Sequence, residues 1–126
     1  GENLSILRDG MKHQVGLSFF ERWSQECKKN NVMFRSIIDD NFIATQRNWY
    51  ANHTNKKLDN WQARHVSRAV FPINYSLVIF DTIVLHYNWD TEQKFGIAIH
   101  DKAIADMQRN VFEMLWTTGT PYVDIV

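Results

Sequence analysis

The segment from Tyr75 to Tyr87 constrains the fold more than any other part of the chain. Residues 75–80 and 83–87 are two apolar segments rich in β-branched and aromatic side chains, and Asp81-Thr82 joins them. Two short apolar segments separated by two turn-forming residues predict an antiparallel β-hairpin. The chain is therefore expected to contain a sheet that grows outward from this hairpin.

The residues after the hairpin extend the sheet and then leave it. After a polar loop over 88–94, residues 95–99 predict another strand. Asp101 is a good N-cap, and a helix is predicted from Lys102 to about Thr118, where Gly119 and Pro121 end it. The helix is expected to carry an apolar stripe of Ile104, Met107, Val111, Met114 and Leu115, with Phe112 and Trp116 beside it.

The sequence pattern of the first half is less regular, but it also predicts helices and strands. Residues 10–30 read as an amphipathic helix ended by Asn30-Asn31, and residues 32–38 as a mostly buried strand. Residues 42–60 predict a weak helix followed by a loop, and residues 63–71 a further strand closed by Pro72. The order α-β-α-β-β-β-β-α predicts an α/β domain with a mixed sheet and helices packed on it.

Length and composition limit the class of protein. A chain of 126 residues fits one domain, spanning 1–126. Fourteen basic residues balance fourteen acidic ones, whereas a domain that grips nucleic acid alone usually has a basic surplus. The longest apolar run, residues 77–80, is far below the roughly 20 residues that span a bilayer, so no membrane association is expected. A lone Cys27 favours a reducing, cytoplasmic setting without a disulfide.

Catalytic motifs are weak. Cys27 lies on the apolar side of a predicted helix, which is typical of a core thiol. His86 and His100 end neighbouring elements, but unrelated strand ends explain them better than a metal site, so neither metal nor cofactor is expected. His100-Asp101-Lys102 with Asp106 approximates the His-x-Lys-x4-Asp signature of phospholipase D-type enzymes, yet the spacing is one residue short and the segment opens a helix.

A better-placed match to that signature lies at residues 74–81. Asn74 occupies the place of the nucleophilic His, Ser76 that of the phosphate-binding Lys, and Asp81 keeps the acidic place at the turn. Replacing both imidazole and ammonium removes the nucleophile and the cation that phosphoryl transfer needs. A polar strand start and a turn Asp explain the same residues without any function.

The chain resembles the C-terminal effector-sensing domain of TrmB-type transcription regulators. The matching segments are the hairpin at 75–87, the strand Phe95-Gly96-Ile97-Ala98-Ile99 with the helix that follows, and the closing Phe112-Glu113-Met114-Leu115-Trp116. Phe20-Glu21-Arg22-Trp23 and the strand at 32–38 fit the same pattern. Where the family's hairpin often has Asp-Lys, this chain has Asp81-Thr82.

The resemblance implies a fold and a function. The fold would be one half of a phospholipase D-like domain without its catalytic residues, and the function ligand sensing, with a sugar as the known kind of effector, and homodimerisation in a regulator. DNA would be bound only by an upstream domain of a longer parent protein. The candidate ligand-binding residues are Asn74, Ser76, Asp81, His86 and His100. Two alternatives stay open: an interaction or dimerisation domain without a ligand, and an active phospholipase D-type phosphodiesterase or nuclease.

Overall fold

The strands of the protein form a single sheet in the part of the chain that its structure, a computed structural model, describes: residues 2–8, 22, 25–45, 60–88, 92 and 94–122. The strands, in chain order, are β1(Glu2–Ile6), β2(Met33–Ile38), β3(Trp61–His65), β4(Ser76–Phe80), β5(Ile83–Asn88), β6(Phe95–His100) and β7(Thr120–Tyr122). One long helix spans Lys102–Thr118, and shorter helical segments cover residues 25–29 and 40–45.

The sheet is mixed, as the sequence predicts, and its spatial order is β6-β5-β4-β1-β2-β3-β7. β1, β2 and β3 run parallel to one another, and the remaining neighbours are antiparallel. β1 therefore lies in the middle of the sheet, with β2 on one side and β4 on the other. No helix in the described ranges has both the length and the apolar character needed to cross a membrane.

The hairpin, the strand after it and the long helix are confirmed. Asp81 makes the tight turn with a φ of 52°, a left-handed conformation that Asp tolerates better than most residues. Asp101 caps the long helix, since its carboxylate accepts a hydrogen bond from the Ile104 N–H at 2.9 Å. Gly119 follows the helix where a Cβ would lie 2.9 Å from Arg64 Cβ, so the small residue permits close approach to β3.

Four predictions need correction or fall partly on residues outside the described ranges. Strand β3 covers Trp61–His65, and the predicted strand at 63–71 is wrong beyond His65 because the chain turns there to cross the sheet. β1 and β7 were not predicted, so the predicted element order lacks both. Of the predicted helix over 10–30, residues 22 and 25–29 are helical, and residues 10–21, 23 and 24 lie outside the described ranges. The helix ends before Asn31, whose φ is 58°. The expected weak helix is seen at 40–45, and residues 46–59 lie outside the described ranges.

One face of the sheet, called here the helix face, carries the main core. The long helix covers it diagonally and contacts β5, β4, β1 and β2. The buried side chains on this side come from four strands, the crossover loop after β3 and the helix: Leu4, Ile6, Ile37, Val66, Ile73, Leu77, Ile79, Val84, Ala105, Phe112 and Trp116. Two arginines hold the helix end, as Arg35 lies over the Phe112 and Trp116 rings and Arg64 over Trp116.

The opposite face carries a smaller cluster of Ile38, Phe42 and Ala63, together with a buried polar contact. Ser5 and Ser36 lie side by side with their Oγ atoms 2.7 Å apart. Trp61 donates from Nε1 to Ser36 Oγ at 2.8 Å. Trp61 is thus a packed side chain held by a hydrogen bond.

The predicted apolar stripe of the long helix is not its main core face, although Leu115 of that stripe packs against the core. The buried residues of the helix are Ala105, Phe112 and Trp116, whereas Ile104, Met107, Val111 and Met114 are exposed. At 100° per residue, the two groups lie roughly 140° apart around the helix axis. The aromatic side wins the core because Phe and Trp bury more apolar area and stack on Arg35.

Candidate functional site

The five candidate ligand-binding residues fall at opposite ends of the sheet. Asn74, Ser76 and His86 lie where β4 begins, whereas Asp81 and His100 lie where β4 ends and the hairpin turns. Five residues of extended chain separate Ser76 from Asp81, which corresponds to roughly 17 Å. The residues therefore do not share one site.

Ser76 is part of the interior. It is 3% exposed, and its Oγ accepts a hydrogen bond from the backbone N–H of Arg8 at 3.0 Å. This bond ties the chain leaving β1 to the start of β4. Asn74, two residues earlier, is exposed and precedes the strand. The hydroxyl of Ser76 is therefore a buried hydrogen-bond acceptor with a structural role. The exposed Asn74 remains accessible to a ligand.

His86 and His100 occupy unrelated positions. In the β5–β6 pairing His86 is opposite Ile97, and His100 is opposite Ile83. Since residues three apart on a strand point to opposite faces, the two imidazoles lie on different sides of the sheet. Within the described residues, no three His, Cys, Asp or Glu side chains are grouped as metal ligands would be.

His86 belongs to a cluster of rings that we call the aromatic corner: Tyr75, His86 and Phe95, with Arg8 and Asn88 beside them. The Tyr75 ring centroid lies 5.6 Å from that of His86 and 5.6 Å from that of Phe95. His86 Nδ1 and Tyr75 Oη are 3.2 Å apart and share a hydrogen bond. Tyr75 is 41% exposed and Phe95 37%, so both rings present apolar surface to solvent.

The sheet register builds this corner. Asn88 is paired with Phe95 across β5 and β6. Continuing the β4–β5 and β1–β4 registers by one or two residues places Tyr75 opposite Asn88 and Arg8 opposite Tyr75. All four positions, and His86, lie on the helix face by strand alternation. The Arg8 guanidinium donates a hydrogen bond from NH1 to Asn88 Oδ1 at 3.1 Å. This bond links the end of β1 to the end of β5.

The chemistry of the aromatic corner suits a small ring compound with polar substituents. Flat, partly exposed rings offer apolar faces, and a hydroxyl, an imidazole, an amide and a guanidinium surround them. The corner starts at the carboxyl end of parallel strand β1, which has β2 on one side and β4 on the other. In open α/β sheets, ligands bind outside the carboxyl ends of the parallel strands.

A second polar cluster, at the carboxyl ends of β2 and β3, is structural. The buried carboxylate of Asp39 accepts hydrogen bonds from Arg68 NH1 at 2.9 Å and from the N–H groups of Phe42 and Ile73 at 3.2 and 3.3 Å. Asp40 binds His65 Nε2 and the Arg68 N–H. The hydrogen bond with His65, followed by that from the Arg68 backbone, lowers the pKa of Asp40. These bonds fix the loop that crosses from β3 to β4.

The remaining sequence candidates have structural explanations. Burial, followed by the nearby Glu26 carboxylate, raises the pKa of the Cys27 thiol, which opposes formation of the nucleophilic thiolate. Lys102 pairs with Asp106 one helical turn away, and Asp101 serves as the N-cap.

Sequence reasoning found only His86 of the aromatic corner. Tyr75 and Phe95 appeared as the first residues of predicted strands, and Arg8 preceded every predicted element. The sequence did contain evidence for part of the aromatic corner. Strand alternation, counted from Leu77 and from Val84, puts Tyr75, His86 and Asn88 on one face of the sheet. Arg8 had no such signal, since β1 itself was not predicted.

Comparison with models of known protein families found no match to the chain. A comparison with curated proteins likewise found no significant relative.

Proposed function

We propose that the chain is the ligand-sensing domain of a TrmB-type transcription regulator, with the fold of a phospholipase D-like half that has lost its catalytic residues. The aromatic corner binds the effector, a sugar or a similar small polar ring compound. The observation that carries this proposal is the partly exposed Tyr75–His86–Phe95 cluster beside Arg8 and Asn88. Asn74 is exposed, but strand alternation from Ser76 places it on the opposite face of the sheet, so it is not part of the proposed site.

Ring stacking and hydrogen bonding make separate contributions to binding at this site. The planes of the Tyr75 and Phe95 rings are inclined by 65°. The two rings therefore form the two sides of a V-shaped surface instead of one flat surface. A sugar ring placed there would rest its C–H groups on one side and turn its hydroxyls toward Asn88 and Arg8. Ser76 supports the site from the interior by fixing Arg8.

Two features of the whole chain support a sensor rather than a catalyst or a DNA-binding domain. The positions that match the phosphodiesterase nucleophile and its phosphate-binding cation hold Asn74 and Ser76, and neither supplies that chemistry. The formal net charge is zero, so DNA contact is assigned to another part of the parent protein. Asp81 and His100, at the far end of the sheet, are not part of the proposed site.

Isothermal titration calorimetry against a panel of monosaccharides, disaccharides and nucleotides tests the proposal. We expect at least one compound to bind, and Tyr75→Ala or Phe95→Ala to weaken its affinity by about tenfold or more, equivalent to roughly 1.4 kcal/mol. Phe80→Ala is the matched control, because Phe80 is 40% exposed at the opposite end of β4. Absence of binding by every compound, or equal losses in Phe80→Ala and Tyr75→Ala, would overturn the proposed site.

A further inference from the structure

Strand β6 is an open edge of the sheet within the part of the chain that the structure describes. It pairs with β5 on one side, and no described strand lies along its other side. At the opposite edge, β7 has three residues and contains Pro121, which lacks a backbone N–H. Of the two edges, β6 therefore offers the longer row of backbone hydrogen-bonding groups.

The register between β5 and β6 shows which backbone groups of β6 point outward. The Asp101 N–H donates a hydrogen bond to the Thr82 carbonyl at 3.0 Å, one position beyond the last residue pair of the two strands. Hydrogen-bonded and non-hydrogen-bonded pairs alternate along an antiparallel ladder. The bonds to β5 therefore come from every second residue of β6: Phe95, Ile97 and Ile99. The residues between them direct their N–H and C=O groups away from β5, and these are Gly96, Ala98 and His100.

The side chains along this edge leave the outward backbone groups accessible. Gly96 and Ala98 are exposed, and a Cβ at Gly96 would meet no atom within 4 Å. Natural proteins commonly protect an edge strand with charged residues, proline or a bulge. β6 contains no Pro, Lys, Arg, Asp or Glu, and its register with β5 runs without a bulge. The edge is therefore suited to pairing with another strand.

The helix-face side chains of β6 add apolar surface beside these backbone groups. Ile97 is 55% exposed, although its neighbour Ile99 is half-buried. A strand laid along β6 would place one of its own side chains directly beside Ile97 on the helix face. An apolar side chain at that position of the partner would cover Ile97 from water.

The small residues of β6 determine which kind of strand fits the edge. An aromatic side chain on a neighbouring strand gains contact area by covering the backbone of an edge glycine. In an antiparallel pairing of two β6 strands, the outward-directed residues would face one another, so Gly96 and Ala98 would meet only glycine, alanine or histidine. Such a pair would lack a large apolar side chain on that face of the sheet. A strand of different sequence, with aromatic residues at these positions, fills the space.

We propose that the outer edge of β6 binds an extended peptide segment of another protein, which joins the sheet as an additional antiparallel strand. The segment carries aromatic side chains opposite Gly96 and Ala98, and a β-branched apolar side chain opposite Ile97. The backbone hydrogen bonds supply affinity, and the alternating side chains supply specificity. This inference goes beyond the proposed function, because it uses backbone groups that take no part in the aromatic corner.

Fluorescence anisotropy with a labelled, end-capped peptide of sequence Lys-Thr-Tyr-Val-Tyr-Thr-Lys tests the proposal on the whole chain. The two tyrosines would face Gly96 and Ala98, the valine would face Ile97, and the terminal lysines keep the peptide soluble. We expect a dissociation constant below about 1 mM. Replacing both tyrosines by alanine should weaken binding by about tenfold or more, because the small residues of β6 would then be left uncovered.

Methylation of single peptide nitrogens distinguishes strand pairing from general apolar binding. In the proposed register the tyrosine N–H groups donate to β6, whereas the valine N–H points to solvent. N-methylation of the tyrosine that faces Ala98 should therefore weaken binding by about tenfold or more. N-methylation of the valine is the matched control and should change the affinity by no more than about threefold.

A proline on the edge tests the same contact from the side of the protein. Ala98→Pro removes an N–H that lies outside the β5–β6 ladder, so the strand tolerates it, and peptide binding should weaken by about tenfold or more. Ala98→Ser keeps the N–H and is the matched control. Circular dichroism melts check that both variants are folded, and the methylated peptides give the same answer on the unchanged chain.

Three results would overturn the proposal. They are no binding of the tyrosine peptide at about 1 mM, equal losses from the two methylations, or unchanged affinity in a folded Ala98→Pro variant. Sedimentation velocity of the chain alone identifies the other occupant of this edge. Self-association that Ala98→Pro abolishes, in a chain that does not bind the peptide, would assign the edge to a second copy instead.

Discussion

At the scale of single residues, Ser36 shows how a small polar group can be required inside an apolar sheet. Its hydroxyl is buried and has two partners, the Ser5 hydroxyl and the Trp61 indole N–H. An indole N–H that is buried without an acceptor loses its hydrogen bond to water and gains none in return. Ser36 therefore determines how Trp61 packs over β2.

Ser36→Ala should lower the free energy of unfolding by about 1–2 kcal/mol, because Trp61 Nε1 loses its acceptor. Ser5→Ala is the matched control and should cost less, since Ser36 still accepts from Trp61. Urea denaturation followed by circular dichroism measures both. Equal losses in the two variants would show that the serine pair, and not the acceptor for Trp61, is what matters.

At the scale of elements, the long helix is fastened to the sheet by an ion pair as well as by its core face. Arg35, on β2, binds Glu113 of the helix and Glu2 of β1. The hydrogen bond from Arg35 lowers the pKa of Glu113, and the bonds to Glu113 and Glu2 raise the pKa of the Arg35 guanidinium. One guanidinium thus joins the two central strands to the helix.

The contribution of Glu113 to stability should depend on pH. A carboxyl whose pKa is lower in the folded state stabilises the fold above its ordinary value of 4.5 and loses that effect as the pH falls through its folded value. Because half of the Glu113 side chain is exposed, we expect Glu113→Gln to cost only roughly 0.5–1 kcal/mol at pH 7. Denaturant unfolding at pH 7 and pH 3 measures this, and we expect a smaller difference at pH 3; a difference as large at pH 3 as at pH 7 would contradict the ion pair as its source.

The long helix also shows which parts of an element are readable from sequence. Its bounds follow from local chemistry, since Asp101 and Gly119 act within one turn of each end. The choice of which side is buried does not follow from local chemistry. The helix has two apolar faces of similar length, and the one that is buried depends on the side chains that the sheet places against it. Arg35 and Arg64 come from strands distant in sequence, and they favour the face with Phe112 and Trp116.

At the scale of the whole molecule, the crossover from β3 to β4 decides the arrangement of the sheet. The chain leaves β3 near one edge, passes over the ends of β2 and β1, and enters β4 on the far side of β1. Asp39 anchors this passage at both ends through Arg68 and Ile73. A single buried carboxylate therefore connects the two halves of the sheet.

Asp39→Asn should lower the free energy of unfolding by about 2–4 kcal/mol, because Arg68 loses its buried partner and the amide cannot accept all three hydrogen bonds. Asp40→Asn is the matched control at the neighbouring, exposed position and should have a markedly smaller effect. Thermal unfolding followed by calorimetry compares the two. A loss in Asp40→Asn as large as that in Asp39→Asn would contradict the anchoring role of Asp39.

The candidate site was less predictable than the fold for a related reason. The α/β class, the hairpin and the capped helix depend on neighbouring residues, whereas the aromatic corner depends on register between strands far apart in sequence. Arg8 meets Asn88 only because β1 inserts beside β4. Missing that one strand hid Arg8 and its contact with Asn88. Asp81 and His100 were grouped with residues at the other end because the length of β4 and β6 was not taken into account.

The position of β1 in the sheet has a consequence for the order in which the strands pair during folding. The three antiparallel strands β4–β6 and the long helix can form from contacts within residues 76–118, but β1 has to pair with a partner more than seventy positions later in the chain. Because β1 also pairs with β2, about thirty positions away, we expect the β1–β2 ladder to form before the β1–β4 ladder. Until the β1–β4 ladder forms, β4 presents an open edge to other molecules, so we expect this stage of folding to be the most exposed to aggregation.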